Sequence, residues 1–168
     1  NSSRTNGYID CMDSAANDKL IMNWLNKETS KKLQKKTGTA AFDAVIMAIE
    51  KCISLLIESD DVTVSYNFDN NDLDIQYKKD DQEVILPLNR MSDGYKCTIS
   101  LITDIAYRMA QLNPQLREKV LDAPGVVIID EIDLHLHPEW QKRILGDLTS
   151  IFPHIQFIVS THASSVIS

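Results

Sequence analysis

The sequence predicts an α/β fold with parallel core strands, a helical segment and a small antiparallel meander. Two short apolar runs, 126–129 and Ile155–Val159, lie one helix apart, which is the spacing of a βαβ unit with two parallel strands. Three further runs, 62–68, 73–78 and 83–88, alternate apolar with polar residues and are joined by Asp-Asn turns, as in antiparallel strands with one buried face. Together these patterns predict one α/β domain within the 168 residues.

Two helices are predicted ahead of the meander. The first, 13–36, has a partial apolar stripe and then a run of lysines, which suits either a solvated helix face or contact with nucleic-acid phosphates. The acidic balance of the chain favours the solvated face. The second, 39–58, is predicted to be a core helix, because apolar residues recur at helical spacing: Phe42, Val45, Ile46, Ile49, Ile53 and Leu56.

Three more helices are predicted in the second half of the chain. A short helix over 115–121 follows an Asn-Pro turn. One continuous helix from Pro138 to Phe152 connects the two parallel strands, since Pro suits the first turn of a helix. Before both of these, an amphipathic helix follows residues 91–95, and its apolar face includes Ile102, Ile105, Ala106, Met109 and Leu112.

The composition limits the class of protein. With 43% hydrophobic and 24% charged residues the chain is ordinarily globular. No apolar run approaches the roughly 20 residues of a membrane helix and no signal peptide opens the chain, so we expect a cytoplasmic protein without a membrane partner. The net charge of −7 argues against a main nucleic-acid surface here, and any such contact is expected outside this chain. Cys11, Cys52 and Cys97 lack metal-ligand spacing and indicate reduced thiols.

Polar side chains follow both parallel strands. Asp130 and Glu131 end the 126–129 strand, which we expect to be buried on both faces, and His162 follows the second strand. Because the carboxyl ends of parallel strands meet at one sheet edge, these side chains should converge there. An acid in this place is the Walker B arrangement, in which Asp130 holds Mg²⁺ through water, Glu131 orients an attacking water, and His162 hydrogen-bonds the γ-phosphate or that water.

A candidate anion site precedes the amphipathic helix, in the Met-Ser-Asp-Gly-Tyr segment 91–95. A Ser and a Gly at a helix N-terminus offer a hydroxyl, backbone N–H groups and the positive end of the helix dipole to an anion. Ser and Asp are also common helix caps, so an ordinary cap is the alternative. The candidate phosphate-binding residues are Ser92, Asp93 and Gly94.

These three motifs, in this order, resemble the signature motif, Walker B strand and H-loop of ABC-type ATPases. The continuation after Glu131, Ile-Asp-Leu-His-Leu-His-Pro, is similar to stand-alone defence and repair ATPases related to SMC and RecF proteins, including the overcoming-lysogenization and Septu types. Transporter subunits usually carry Pro after the catalytic Glu, whereas this chain has Ile132. The resemblance covers residues 90–168 and implies half of a P-loop NTPase fold.

The resemblance implies ATP and Mg²⁺ as cofactors, with Glu131 and His162 as catalytic residues. It also implies a homodimer in which two heads join head to tail around ATP, so that Ser92 and Gly94 contact the γ-phosphate held by the other subunit. His137 belongs to the D-loop that crosses this interface, and we count it among the nucleotide-binding residues. The implied role is control of a nuclease or other effector in bacterial anti-phage defence or DNA repair.

No phosphate-binding P-loop, G-x-x-x-x-G-K-[ST], occurs in the chain. The nearest cluster, Lys-Thr-Gly-Thr at 36–39, lacks the first Gly and the Gly-Lys order. The chain is therefore predicted to be the carboxyl-terminal part of one ATPase head, with helices and antiparallel strands over 1–89 and the three motifs over 90–168. We expect it to bind ATP poorly by itself.

Two other functions suit parts of the sequence. Asp133, His135 and His137 alternate along the chain, with His154 and His162 nearby, and His at alternate positions of an extended segment can chelate Zn²⁺ in a metal-dependent nuclease or hydrolase. The same residues suit a D-loop. A non-hydrolysing, ATP-switched regulatory module is the third possibility, and the presence of Glu131 argues against it.

Overall fold

The computed structural model describes residues 14–35, 40–80, 82–133, 136 and 138–166, and it confirms the predicted α/β class. A three-stranded antiparallel sheet and a two-stranded parallel sheet are connected and covered by helices. Short 3₁₀ turns occupy Leu88–Arg90, Pro114–Asp122 and Ser164–Val166. The main elements are α1 (Ser14–Lys35), α2 (Ala40–Ile57), β1 (Val62–Asn67), β2 (Asp72–Lys79), β3 (Gln82–Pro87), α3 (Asp93–Leu112), β4 (Gly125–Ile129), α4 (Pro138–Gln141), α5 (Ile144–Ile151) and β5 (Ile155–Val159).

Helix α2 is the centre of the core, as its periodicity predicted. Its fully buried side chains include Val45, Ile49 and Ile53, and the helix packs against α3 and β1. Burying an aliphatic side chain of this size contributes roughly 1.5–3 kcal/mol. The Glu50 carboxylate, on the same helix, accepts a hydrogen bond of 3.0 Å from the Val64 N–H of β1 and so joins helix to sheet.

The predicted meander is present, with β2 between β1 and β3. In its antiparallel register Ile75 faces Val64 on one side and Leu86 on the other. Positive φ values at Asn71 and Asp80 occur in the turns on either side of β2, where Asn and Asp tolerate the left-handed conformation better than most residues. Within the described ranges, every helix is too short or too polar to span a lipid bilayer.

Strands β4 and β5 pair in parallel, with Gly125 opposite Ile155 and Ile129 opposite Val159, which confirms the βαβ prediction. The prediction that β4 is buried on both faces is wrong for the described residues. One face packs on the core, but Val126, Ile128 and Ile158 on the other are 58%, 75% and 50% exposed. A continuous apolar run does not show that both faces are covered, since coverage depends on the elements packed against them.

The connection between β4 and β5 is two helices rather than the single one predicted. The chain turns at Lys142 and Arg143, between α4 and α5. The Arg143 guanidinium donates a hydrogen bond of 2.8 Å to the Leu55 carbonyl in the last turn of α2, where carbonyls lack partners within the helix. The short helix predicted at 115–121 is likewise a kinked 3₁₀ segment, with a positive φ at Arg117.

Candidate functional site

The polar residues that follow β4 and β5 lie side by side. Beyond the last strand pair, the Ser160 N–H donates to the Ile129 carbonyl at 3.0 Å and the Ile132 N–H donates to the Ser160 carbonyl at 3.1 Å. The parallel hydrogen-bond ladder therefore continues past both strands. This continuation fixes the register of the two polar segments, and it is the reason that residues 28 to 31 positions apart in sequence meet at one edge.

Ser160 joins the two adjacent carboxylate residues. Its hydroxyl donates to Oδ1 of Asp130 and accepts a hydrogen bond of 2.8 Å from the Glu131 N–H. Glu131 has a φ of 49°, a left-handed conformation that costs a non-glycine residue on the order of 1–3 kcal/mol. The Ser160 hydroxyl thus binds Glu131 at the backbone position where this unfavourable conformation occurs.

His162 is the third residue at this edge. Its Nε2 lies 3.7 Å from Oε1 of Glu131, and the two side chains are 86% and 46% exposed. The geometry required by the sequence analysis is therefore present, because Asp130, Glu131 and His162 meet at the ends of neighbouring strands. Both side chains of the His162–Glu131 pair remain accessible to a ligand.

Asp133 connects the two polar segments a second time. Its Oδ1 accepts a hydrogen bond of 2.5 Å from the Thr161 hydroxyl and one of 3.2 Å from the His162 N–H. The Thr161 hydrogen bond is the main cause that lowers the pKa of the Asp133 carboxyl below its usual value, so the ionised form is favoured in the folded chain.

Gln141, on α4, holds the residues on both sides of this edge. Its side-chain amide donates to the carbonyls of Leu136 and Asp133 at 3.2 and 3.4 Å, and its Oε1 accepts a hydrogen bond of 2.8 Å from the Ser165 hydroxyl. One side chain therefore links α4, the segment after Glu131 and the turn after His162.

The predicted anion-binding segment lies at the start of α3. Ser92 is the N-cap residue, but its hydroxyl makes no capping hydrogen bond. Asp93 pairs with Lys96 at 2.7 Å, and this hydrogen bond lowers the pKa of the exposed Asp93 carboxyl. Ser92 therefore occupies the position of an ordinary helix cap but does not make the hydrogen bond of one.

Trp140 of α4 packs directly on this segment. A Cβ added to Gly94 would lie 2.4 Å from the Trp140 ring, so only glycine fits there without a shift. The Tyr95 and Trp140 ring centroids are 4.4 Å apart in an edge-to-face arrangement. Within the described residues, no hydrogen bond or ion pair links Ser92, Asp93 or Gly94 to the carboxylate edge, and the connection runs through α4.

The carboxylate edge suits Mg²⁺ in the chemistry of its donors. Asp130 is exposed, and its second carboxylate oxygen has no hydrogen-bond or ion-pair partner among the described residues. Magnesium usually takes one or two protein carboxylates, with waters and phosphate oxygens as its other ligands. One accessible carboxylate beside a hydroxyl therefore fits a nucleotide-bound magnesium ion better than a closed protein site.

His135 and His137 lie outside the described residues, as do residues 36–39. Within the part of the chain that is described, no group of three His, Cys, Asp or Glu side chains is placed to hold a metal ion. Asp133, the first residue of the alternating run, has its Oδ1 in hydrogen bonds to the residues after β5. The roles assigned to His137 and to the other site residues stay predictions.

Sequence reasoning missed three contacts of this site. It did not predict the hydroxyl bridge of Ser160 or the amide contacts of Gln141, and it placed Trp140 only on a buried helix side. Hydroxyl residues directly after a strand, next to an acidic segment on the neighbouring strand, are a usable signal for Ser160. Neither Gln141 nor the Trp140–Gly94 contact leaves such a signal, because each depends on how the short helix α4 docks.

Several proteins are similar to this chain. The retron Vc95 probable ATPase of Vibrio cholerae serotype O1 biovar El Tor is 47% identical over 96 residues, 57% of this chain and 18% of that protein. The retron Ec83 probable ATPase of Escherichia coli is 48% identical over 87 residues, which are 52% of this chain and 16% of that protein. The Septu protein PtuA of Bacillus mycoides (strain KBAB4) is 48% identical over 75 residues, which are 45% of this chain and 10% of that protein. The chain spans less than a fifth of the length of each.

One solved structure, described as "Structural biochemistry of ATP-driven dimerization and DNA stimulated activation of SMC ATPases", aligns with a TM-score of 0.48 and 22% identity over 74% of this chain and 71% of that chain. The family model described as "AAA domain, putative AbiEii toxin, Type IV TA system" matches residues 53–168, which is more than half of the chain. The motif-based assignment is thereby confirmed, and the chain belongs to this family of AAA domains.

Proposed function

We propose that this chain is the part of an ATPase head that supplies the signature motif, the Walker B acid and the H-loop, and that the complete protein hydrolyses ATP between two heads joined head to tail. The observation that carries the proposal is the convergence of Asp130, Glu131 and His162 at the ends of two parallel strands, with His162 Nε2 3.7 Å from Glu131 Oε1. The named activity of the retron relatives, probable ATPase, supports it.

Each residue at the carboxylate edge has one task in this proposal. Asp130 holds the magnesium ion, which when bound neutralises charge on the β- and γ-phosphates. Glu131 orients the attacking water and accepts its proton. His162 donates a hydrogen bond from its ring to the γ-phosphate. Because phosphoryl transfer depends mainly on positioning and charge stabilisation, the backbone contacts of Ser160 and Asp133 serve the reaction by fixing these three groups.

The second copy completes the site in this proposal. The Ser92 hydroxyl makes no capping bond and stays available for a phosphate oxygen, while the N–H groups at the start of α3 face the same ligand. The exposure of His162 and Glu131 suits a surface that is covered only when two heads close on ATP. Nucleotide binding would then favour the closed dimer, because only that state makes both sets of contacts.

We also propose that the complete protein acts in bacterial anti-phage defence, where it controls a nuclease or another effector protein. The names of the retron and Septu relatives support this setting. Nucleic-acid contact is assigned to regions outside this chain, because its net charge is −7 and two lysines of the α1 run, Lys31 and Lys32, are paired with Glu28 and Asp43.

The first test is Glu131→Gln in the complete protein. We expect ATP turnover to fall by about 100-fold or more, because the amide no longer accepts a proton from the attacking water, while ATP still drives dimerisation. Steady-state ATPase assays and light scattering with and without ATP measure the two effects. Glu118→Gln, the same change at an exposed residue, is the matched control and should behave as wild type. Wild-type turnover in Glu131→Gln would show that Glu131 takes no part in the reaction.

A mixed-dimer experiment tests the contribution of the second copy. Ser92→Arg and Glu131→Gln homodimers should both be inactive. A heterodimer of the two variants should regain about half of the wild-type turnover, because both defects then fall in one of its two sites. No activity in the heterodimer would place Ser92 and Glu131 of one and the same subunit in a single site, which contradicts the head-to-tail arrangement.

A further inference from the structure

Asp133 lies two residues after Glu131, yet its side chain contacts the segment that follows β5. Its Oδ1 accepts hydrogen bonds from the Thr161 hydroxyl at 2.5 Å and from the His162 N–H at 3.2 Å. The carbonyl of the same residue accepts the Gln141 amide at 3.4 Å. The backbone of Asp133 is therefore held by Gln141 of α4, while its carboxylate binds the backbone of His162.

The backbone on both sides of His162 depends on this carboxylate. Thr161 donates its hydroxyl to Asp133 and accepts the Ala163 N–H on the same oxygen at 3.0 Å. The His162 N–H between them donates to Asp133 directly. Hydrogen bonds to an ionised acceptor are roughly twice as strong as neutral ones, so a charged carboxylate is well suited to hold this turn.

The imidazole of His162 has little else to hold it. The ring is 86% exposed, and its contact with Glu131 at 3.7 Å is too long for a strong hydrogen bond. No packing in the described structure fixes the ring, so the backbone determines where the side chain starts and which of its rotamers are allowed. A change in that backbone would move Nε2 relative to Glu131.

We propose that Asp133 is a positioning residue that places His162 for catalysis through its hydrogen bonds to the Thr161 hydroxyl and the His162 N–H. The proposal deepens the ATPase function and rests on it. Asp133 does not touch the nucleotide or the reacting water, and acts only through His162. A misplacement of about 1 Å in a reacting group can lower a rate by about 100-fold, so the expected effect is on kcat.

The experiment compares variants of the complete protein. Asp133→Ala should lower kcat by about 10- to 100-fold and change the KM for ATP by less than about threefold, because Asp130 and Ser92, the other groups proposed to bind the nucleotide, stay in place. Asp133→Asn keeps an acceptor oxygen and should retain most activity. Thr161→Val removes the hydroxyl with little change in volume and should lower kcat in the same direction, which keeps the test valid if Asp133→Ala folds poorly. Asp122→Ala, at an exposed aspartate, is the matched control.

The decisive measurement uses a His162→Ala background. If Asp133 acts through His162, adding Asp133→Ala to His162→Ala should change the residual kcat by less than about twofold. A further loss of about tenfold in that background would overturn the inference and give Asp133 a separate role. Wild-type kcat in Asp133→Ala and Thr161→Val would overturn it as well.

Glu131→Gln in the same set separates this inference from the proposed function. If Glu131→Gln abolishes turnover while Asp133→Ala behaves like Asp122→Ala, the ATPase assignment stands and the positioning role fails. If Glu131→Gln turns over ATP at the wild-type rate, the proposed function itself fails.

Discussion

The layer formed by α2 and the antiparallel sheet differs from the β4–β5 edge in what holds it in place. In the first, Val45, Ile49 and Ile75 are fully buried. In the second, one strand face is largely exposed and the polar segments are held by hydrogen bonds of Ser160 and Asp133. The main buried core and the candidate site are thus placed in different parts of the chain. Substitutions in the first region should destabilise the fold, whereas those in the second should alter the candidate site and leave the fold intact.

The largest effect is expected for Ile49→Ala. Ile49 is fully buried on α2, so the substitution should lower the free energy of unfolding by about 2–5 kcal/mol, through lost burial and a residual cavity. Urea denaturation measures it. Met47→Ala, at an exposed position of the same helix, is the control and should cost less than about 1 kcal/mol. Equal losses at the two positions would show that α2 is not the centre of the core.

Gly94→Ala should lower the free energy of unfolding by about 1–3 kcal/mol, because its Cβ would overlap the Trp140 ring. Gly146→Ala, in α5 with nothing within 4 Å of the added Cβ, should instead stabilise by up to about 1 kcal/mol. Thermal unfolding of both variants tests the pair. Trp140→Leu combined with Gly94→Ala should recover part of the loss, and an additive double variant would contradict the contact.

The buried Cys52 should make stability depend on alkaline pH. Burial, with a smaller contribution from Asp147, raises the pKa of the Cys52 thiol from 9.0 to about 12. Between these values the unfolded chain releases a proton that the folded chain keeps, so stability falls as pH rises, by up to about 1.4 kcal/mol per pH unit. Denaturation from pH 8 to 10 should show a steeper decline for the wild type than for Cys52→Ala. Parallel curves would mean that the thiol is accessible in the folded chain.

The smallest effect is expected for Ile128→Thr on the exposed face of β4. With Ile128 75% exposed, the substitution should change the free energy of unfolding by less than about 0.5 kcal/mol. Ile129→Thr, on the half-buried face of the same strand, should cost more, on the order of 1 kcal/mol. Denaturation of the two variants compares the faces directly. Equal costs would show that the outer face of the strand is covered.

Much of the fold could be predicted because it follows from local periodicity. The spacing of Phe42 to Leu56 predicted α2, and the alternation around Ile75 predicted the meander. The parallel pairing of β4 and β5 followed from the length of their connection. Burial of the outer face of β4 and the break at Arg143 could not be predicted, because each depends on a partner distant in sequence: whatever covers a sheet, or the Leu55 carbonyl at the end of α2.

The candidate site divides in the same way. Topology alone brought Asp130, Glu131 and His162 together, since parallel strands end at one edge. The contacts around these residues are single hydrogen bonds: the Glu131 N–H donates to Ser160, the His162 N–H donates to Asp133, and Gln141 donates to the Leu136 carbonyl. Each depends on distances of a few tenths of an ångström. A pattern of residue types carries no such distances.

The position of the Trp140 indole affects how a movement at the start of α3 reaches the rest of the site. The indole lies against Gly94 at the start of α3, and the next residue, Gln141, holds the carbonyls that follow Glu131. A displacement of the 91–95 segment would therefore shift α4 and, through Gln141, the backbone that follows Glu131.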